Sequence, residues 1–119
     1  MLGGPHYNMG AILARQGKLE EAISLFLWVL ERDPNSAGAN YNLGLALTQL
    51  AKYEEAVPHF FRALQTKPDY AEAHYYLGFL MVQKGKLKDA VYHYTEALRI
   101  KPDYPEAIHN LGEITEEGH

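Results

Sequence analysis

Cysteine is absent from this 119-residue chain. Disulfides and thiolate chemistry are thereby excluded, and the redox compartment stays open. A basic excess is missing too: 11 lysines and arginines stand interspersed with 15 acidic residues, for a formal charge of -4. Nucleic-acid binders usually carry a basic face, and the densest basic cluster, Lys84, Lys86 and Lys88, falls at a helix-helix turn where a solvated surface is expected. No apolar run approaches the ~20 residues of a membrane span. The longest, residues 25–30, sits inside a helical pattern. No basic segment followed by an apolar one opens the chain, so no secretory signal is visible. Membrane insertion is not expected, and the cytoplasm is the default compartment. Serine is confined to Ser24 and Ser36, with no base placed near either. The histidines, His6, His59, His74, His93, His109 and His119, form no compact ligand set. His59 and His93 take equivalent outer positions, where a surface location is expected. There is no glycine-rich phosphate loop. Enzymatic chemistry, a metal and a cofactor are therefore not expected.

What is present is a repeat. Gly10, Gly44, Gly78 and Gly112 are spaced 34 apart, each preceded by Met9, Leu43, Leu77 or Leu111. Ala22, Ala56 and Ala90 recur at the same period, followed by Phe26, Phe60 and Tyr94. Val29, Ala63 and Ala97 come next, and Pro34, Pro68 and Pro102 close the units. A period of this length signals a stacked array, in which each unit buries its apolar face on the next. The pattern resembles the tetratricopeptide repeat (TPR) family. It implies an all-α fold, a right-handed α-solenoid of about seven antiparallel-paired helices. Three full repeats are expected at 3–36, 37–70 and 71–104, with a partial repeat at 105–119. The chain reads as a single array and as a piece of a longer protein.

Residues 7–16 read as the first helix, ended by Gly17, the residue that accepts a left-handed backbone most cheaply. A second helix runs to residue 32 and stops at Asp33-Pro34, since proline restricts its predecessor and has no amide donor. The same logic gives helices at 37–50, 53–66, 71–84, 87–100 and 105–117. Ala51 replaces the turn glycine, so that turn either avoids a left-handed residue or bears about 1 kcal/mol of strain. Pro58 falls inside the fourth helix, where a clash with the Glu54 carbonyl and a local kink are expected. The small residues at the glycine and alanine positions let backbones approach, and Phe26, Phe60 and Tyr94 fill the wider part of each crossing.

The resemblance implies that first helices line a concave groove which holds a peptide or extended partner segment. Positions three and four apart share a helix face. The groove then falls on Asn8 and Arg15, on Tyr41, Asn42, Leu45 and Gln49, on Tyr75, Tyr76, Phe79 and Gln83, and on His109 and Asn110. Asparagine at positions 8, 42 and 110 can donate and accept at once, which suits an extended peptide backbone. The alternative is that it caps neighbouring backbone or bridges adjacent helices. The tyrosines offer rigid area for recognition or packing between helices. One subset of the family clamps the C-terminal carboxylate of chaperone tails with basic residues. Here the matching positions are Tyr7, Ala11, Glu72 and Tyr76, so binding of that kind is not expected. The asparagine series is also similar to that of arrays attached to glycosyltransferases, which hold extended substrate protein. A structural rival rests on Trp28 with Leu27 or Leu25, the counterparts of Trp28 being Arg62 and Glu96, and on Leu111 and Ile114 in the last helix. An outer apolar patch there marks a contact with a missing repeat, a partner, or a second copy in a homo-oligomer.

Overall fold

Seven helices carry the regular structure of the computed structural model, which describes residues 4–117. They are α1 (Gly4–Arg15), α2 (Leu19–Arg32), α3 (Ala37–Gln49), α4 (Tyr53–Thr66), α5 (Ala71–Gln83), α6 (Leu87–Ile100) and α7 (Pro105–Glu117). Three of the expected spans coincide with these, α2 ends where expected, and the other three shift by one to three residues at an end, the usual ambiguity of helix termini. The chain divides into two compact units, Met1–Pro68 with α1 to α4 and Asp69–His119 with α5 to α7.

Local signals explain where the helices start. Ser36 caps α3, its hydroxyl accepting the Ala39 amide at 3.1 Å, a contact worth about 1 kcal/mol. Glu20 and Glu21 open α2, and Glu54 and Glu55 open α4, where carboxylates favour the positive end of the helix dipole. Pro105 opens α7, a position that needs no amide donor.

The turns within the pairs share one geometry. Gly17 has φ +81° and Gly85 φ +74°. Ala51 adopts the same left-handed backbone, with φ 60°. Its amide donates to the Thr48 carbonyl at 2.9 Å and the Lys52 amide to the Leu47 carbonyl at 2.8 Å, matching Gly17 with Ala14 and Lys18 with Leu13. The turn therefore keeps its shape and bears the strain of an alanine there.

In the first unit α1 pairs with α2, α3 pairs with α4, and α2 packs on α3. In the second, α5 pairs with α6 and α7 packs on α6. Each pair is held by a glycine of the first helix lying against an aromatic ring of the second. A Cβ at Gly10 would come within 2.8 Å of Phe26, one at Gly44 within 2.9 Å of Phe60, and one at Gly78 within 2.7 Å of Tyr94. Ala22, Ala56 and Ala90 are fully buried beside them, as are Phe26 and Phe60. Each of those phenylalanines contributes about 2–3 kcal/mol of burial. Leucine at Gly78 would overpack the pair at about 1–3 kcal/mol. α4 continues as helix through Pro58, which is exposed, so the freed Glu54 carbonyl lies on a helix segment that water reaches.

Candidate interaction site

The first helices of each unit enclose a crevice, and the two crevices are built from equivalent positions. In the first unit α1 and α3 line a cleft of about 270 Å³ with Ala11, Ala14, Arg15, Asn42, Leu45, Ala46 and Gln49. In the second, a cleft of about 210 Å³ is lined by Phe79, Val82, Gln83, Asn110, Glu113 and Ile114 of α5 and α7, with Leu87 and Tyr94 of α6. Two repeat lengths separate Ala11 from Phe79, Ala14 from Val82, Arg15 from Gln83 and Asn42 from Asn110. The backbone frame recurs while the lining changes. Ala11, Ala14 and Arg15 in the first become Phe79, Val82 and Gln83 in the second, and Leu45 becomes the carboxylate of Glu113.

Each crevice contains the same polar latch. Asn42 Nδ2 donates to the Tyr7 hydroxyl at 2.8 Å and to the Gly38 carbonyl at 2.9 Å. Asn110 Nδ2 meets the Tyr75 hydroxyl at 3.1 Å and the Tyr94 hydroxyl at 3.4 Å. A carbonyl accepts only, so the Gly38 bond fixes the orientation of the Asn42 amide. Its Nδ2 is spent on Tyr7 of α1 and on the Gly38 carbonyl of its own helix, and Oδ1 is the atom it can offer a ligand. Asn42 is thus a bridge between first helices, and its remaining capacity is an acceptor for a backbone N–H. Burial and the neighbouring Tyr75 oppose ionisation of Tyr94, whose pKa rises to about 12 although the Asn110 contact favours the phenolate. The phenol stays protonated.

The other expected groove residues fall into place as follows. Asn8, Arg15, Gln49 and Gln83 are exposed, and Leu45 and Phe79 are half-buried. Tyr41 sits edge-on to Phe60, ring centroids 5.8 Å apart. Tyr75 stacks on Tyr104 at 5.1 Å and meets Tyr76 edge-on at 5.0 Å. Burial raises the Tyr76 pKa, helped by Tyr75 and Glu106. These tyrosines pack between helices while remaining partly accessible. His109 Nε2 approaches Glu113 Oε1 at 2.8 Å on the exposed side of α7, a surface pair of small energetic weight.

Trp28 is half-buried: His6 stacks on its indole at 3.5 Å between ring centroids, and the Arg32 guanidinium lies 3.7 Å from the ring centre. Leu25 is also half-buried, and Leu27 is exposed at 46%. The expected surface location of two histidines needs correction. His93 is buried, and its Nδ1 lies 3.1 Å from Nδ1 of buried His74. His59, half-buried, contacts Asn40 Oδ1 through Nδ1 at 3.1 Å. Asn40 is fully buried and also donates to the Pro34 and Ser36 carbonyls at 3.1 and 3.2 Å. Asn40 with His59 and His74 with His93 are one link repeated, residues 19 apart in both pairs. That shared spacing was the signal available in the sequence. Burial and His74 push the His93 pKa down to about 4, against Asp89 and Glu96; burial and Arg62 lower that of His59, against Glu55. His119 lies outside the described residues. Among the described residues no three metal-binding side chains gather, and no helix is long and apolar enough to cross a membrane.

Paired helices, glycine–aromatic contacts and crevices between first helices define a helical-repeat protein. Residues 7–70 match the family model for the tetratricopeptide repeat, and residues 80–117 match a second TPR repeat model. The chain belongs to the tetratricopeptide repeat family. Among solved structures, MamA is similar at TM-score 0.92 and 26% identity, over 98% of this chain and 68% of that one. The first TPR domain of Spaghetti (RPAP3), bound to the HSP90 peptide SRMEEVD, gives 0.92 and 24% over 97% and 91%. YrrB, described as a TPR protein with an unusual peptide-binding site, gives 0.83 and 24%. It is covered over 56% of its length by 91% of this chain. No curated protein matches the chain.

Proposed function

We propose that the chain is a protein–protein interaction module whose first helices hold a peptide or extended segment of a partner. One observation carries this: the crevice between first helices recurs at equivalent positions, around 270 Å³ and 210 Å³, with an asparagine in each. Asn42 Oδ1 can accept a backbone N–H of an extended ligand. Arg15 and Gln49 in one cleft, and Phe79, Gln83 and Glu113 in the other, supply side-chain discrimination. Peptide binding by Spaghetti and YrrB supports the reading by likeness of fold. The carboxylate clamp still finds no basic partner at Tyr7, Ala11, Glu72 or Tyr76. The groove assignment of Asn8, Tyr41, Tyr75, Tyr76, His109 and Asn110 belongs to the same proposal, as does the division into repeats at 3–36, 37–70 and 71–104 within a longer protein. A substrate-holding segment of a multidomain enzyme would use the same crevices. The cytoplasm remains the default compartment of this reading.

Peptide-library selection against the purified chain tests it, with Ala11→Leu/Ala14→Leu as the control. Those leucines fill the first crevice without removing a hydrogen bond. A shared motif selected by the parent and lost in the variant is the expected result. A motif retained at full strength, or none selected, refutes groove binding. The structural rival, self-association through exposed Leu27 or through Leu111 and Ile114, predicts a dimer by light scattering on the same sample.

A further inference from the structure

The crevice between α1 and α3 has a charge unlike that of the chain. Acidic residues outnumber basic ones overall, yet neither of these helices carries an aspartate or glutamate. In the helices of the first unit the carboxylates stand on α2 and α4, as Glu20, Glu21 and Glu31 and as Glu54 and Glu55. Among the described residues that line the crevice, Arg15 alone is ionisable. It is exposed and forms no ion pair with another described residue. Arg99 shows what a guanidinium of this chain does beside a carboxylate: Nε and Nη2 both donate to Glu96 Oε1, each at 3.2 Å. The fork of donors at Arg15 is free to do the same for a ligand.

Gln49 stands at the equivalent repeat position, in the last turn of α3 as Arg15 is in the last turn of α1. It is exposed and lines the same crevice, and its amide can donate to a second carboxylate oxygen. The middle of the crevice is apolar. Ala11, Ala14 and Ala46 leave space there, and Leu45 forms a wall. The volume of about 270 Å³ lies just under the ~300 Å³ at which pockets for drug-sized ligands begin. That is room for a side chain or two.

Spacing sets a register for the occupant. Ala11 to Arg15 and Leu45 to Gln49 are each four residues, about 6 Å of helix rise. In an extended chain, residues two apart point the same way and lie about 6.6 Å from each other. An extended segment that seats one side chain between Ala11 and Leu45 therefore brings the side chain two positions away to Arg15 and Gln49. Asn42 Oδ1, three residues before Leu45, is left to accept a backbone N–H.

Resting on the peptide-binding reading, we propose that this crevice selects an extended partner segment with a large apolar residue and, two positions from it, an aspartate or glutamate. Arg15 is the specificity-determining residue: its guanidinium takes the carboxylate, with Gln49 as the second donor. The carboxylate belongs to an internal side chain of the segment, because no second cation lines the crevice to hold a chain end.

The test is selection on the full chain from two libraries of short peptides, one blocked at both ends and one with free C-termini. The blocked library is expected to yield Asp or Glu two positions from Leu, Met or Phe. Replacing that acid by its amide in the best peptide should weaken binding about ten-fold, read by fluorescence anisotropy at low salt. In Arg15→Gln the same replacement should change binding by less than about two-fold. Arg15→Glu should turn the selected residue to Lys or Arg. Both variants should keep the helicity of the parent, since Arg15 is exposed. Peptides selected without an acidic preference, or with one that persists in Arg15→Gln, overturn the inference and leave the peptide-binding reading standing. Binding confined to free C-termini overturns it as well. No peptide from either library overturns both.

Discussion

His74 and His93 face each other across the α5–α6 pair with their Nδ1 atoms 3.1 Å apart. One of these atoms donates a proton and the other must accept it, so charging both imidazoles sets two positive groups against each other in a buried place. Asp89 and Glu96 on α6 moderate the effect on His93, and Tyr92 packs edge-on to both rings. An unfolded histidine titrates near 6.5, whereas folded His93 titrates at about 4. Below the unfolded value the unfolded chain binds more protons, so stability is full above about 6.5 and declines as pH falls toward 4. Thermal melts should show a lower midpoint at pH 5 than at pH 7. His74→Asn installs in the third repeat the link that Asn40 makes in the second, and the pH dependence should shrink. Equal pH dependence in parent and variant would remove the pair as its cause. This link was beyond the first reading of the sequence because repeat phase alone places His93 on an outer helix. Burial follows from which face of that helix turns toward residue 74.

Helix pairs are set by their turns, and the second pair has the least suited turn residue. Ala51 at φ 60° holds a conformation that an L side chain enters at about 1–2 kcal/mol, while Gly17 and Gly85 enter it freely. Ala51→Gly should raise stability by about 0.5–1 kcal/mol, the relief being partly offset by the greater freedom of glycine in the unfolded chain. Urea unfolding at neutral pH measures it; a loss of stability would mean that Ala51 contributes packing in place of strain. The sequence posed this as a choice between a different turn and a strained one. The hydrogen bonds of Ala51 and Lys52 answer it, because closing the α3–α4 pair in register requires both. At Pro58 the expectation was a clash and a local kink. Its exposed position within α4 accommodates the ring, and the helix runs on to Thr66.

At the level of the whole molecule, the 34-residue period made seven helices legible to within three residues at any end. Identical spacing of small and aromatic positions leaves little freedom in how a pair closes. The candidate site was legible in place and less so in chemistry. Asn42 and Tyr41 were chosen for what they could present to a ligand, yet Asn42 is turned by Tyr7, 35 positions earlier, and Tyr41 by Phe60. The first contact joins neighbouring repeats and the second joins the two helices of one repeat, so the repeat pattern assigns each residue to a helix face and leaves its partner undetermined. Gly112 shows the converse. Its family position was plain in the sequence, and the emptiness around it, where an added Cβ would meet nothing within 4 Å, appeared only when all four equivalent glycines were compared in space.

The stack of His6, Trp28 and Arg32 has an optical consequence. Trp28 is the sole indole of the chain, and it belongs to the α1–α2 pair of the first unit. Emission excited at the red edge of its absorption therefore reports on Met1–Pro68, while far-ultraviolet circular dichroism sums the helices of both units. Each technique should give the same denaturation midpoint if the units melt together. A separation of the two curves would resolve the melting of one unit from the other without a label.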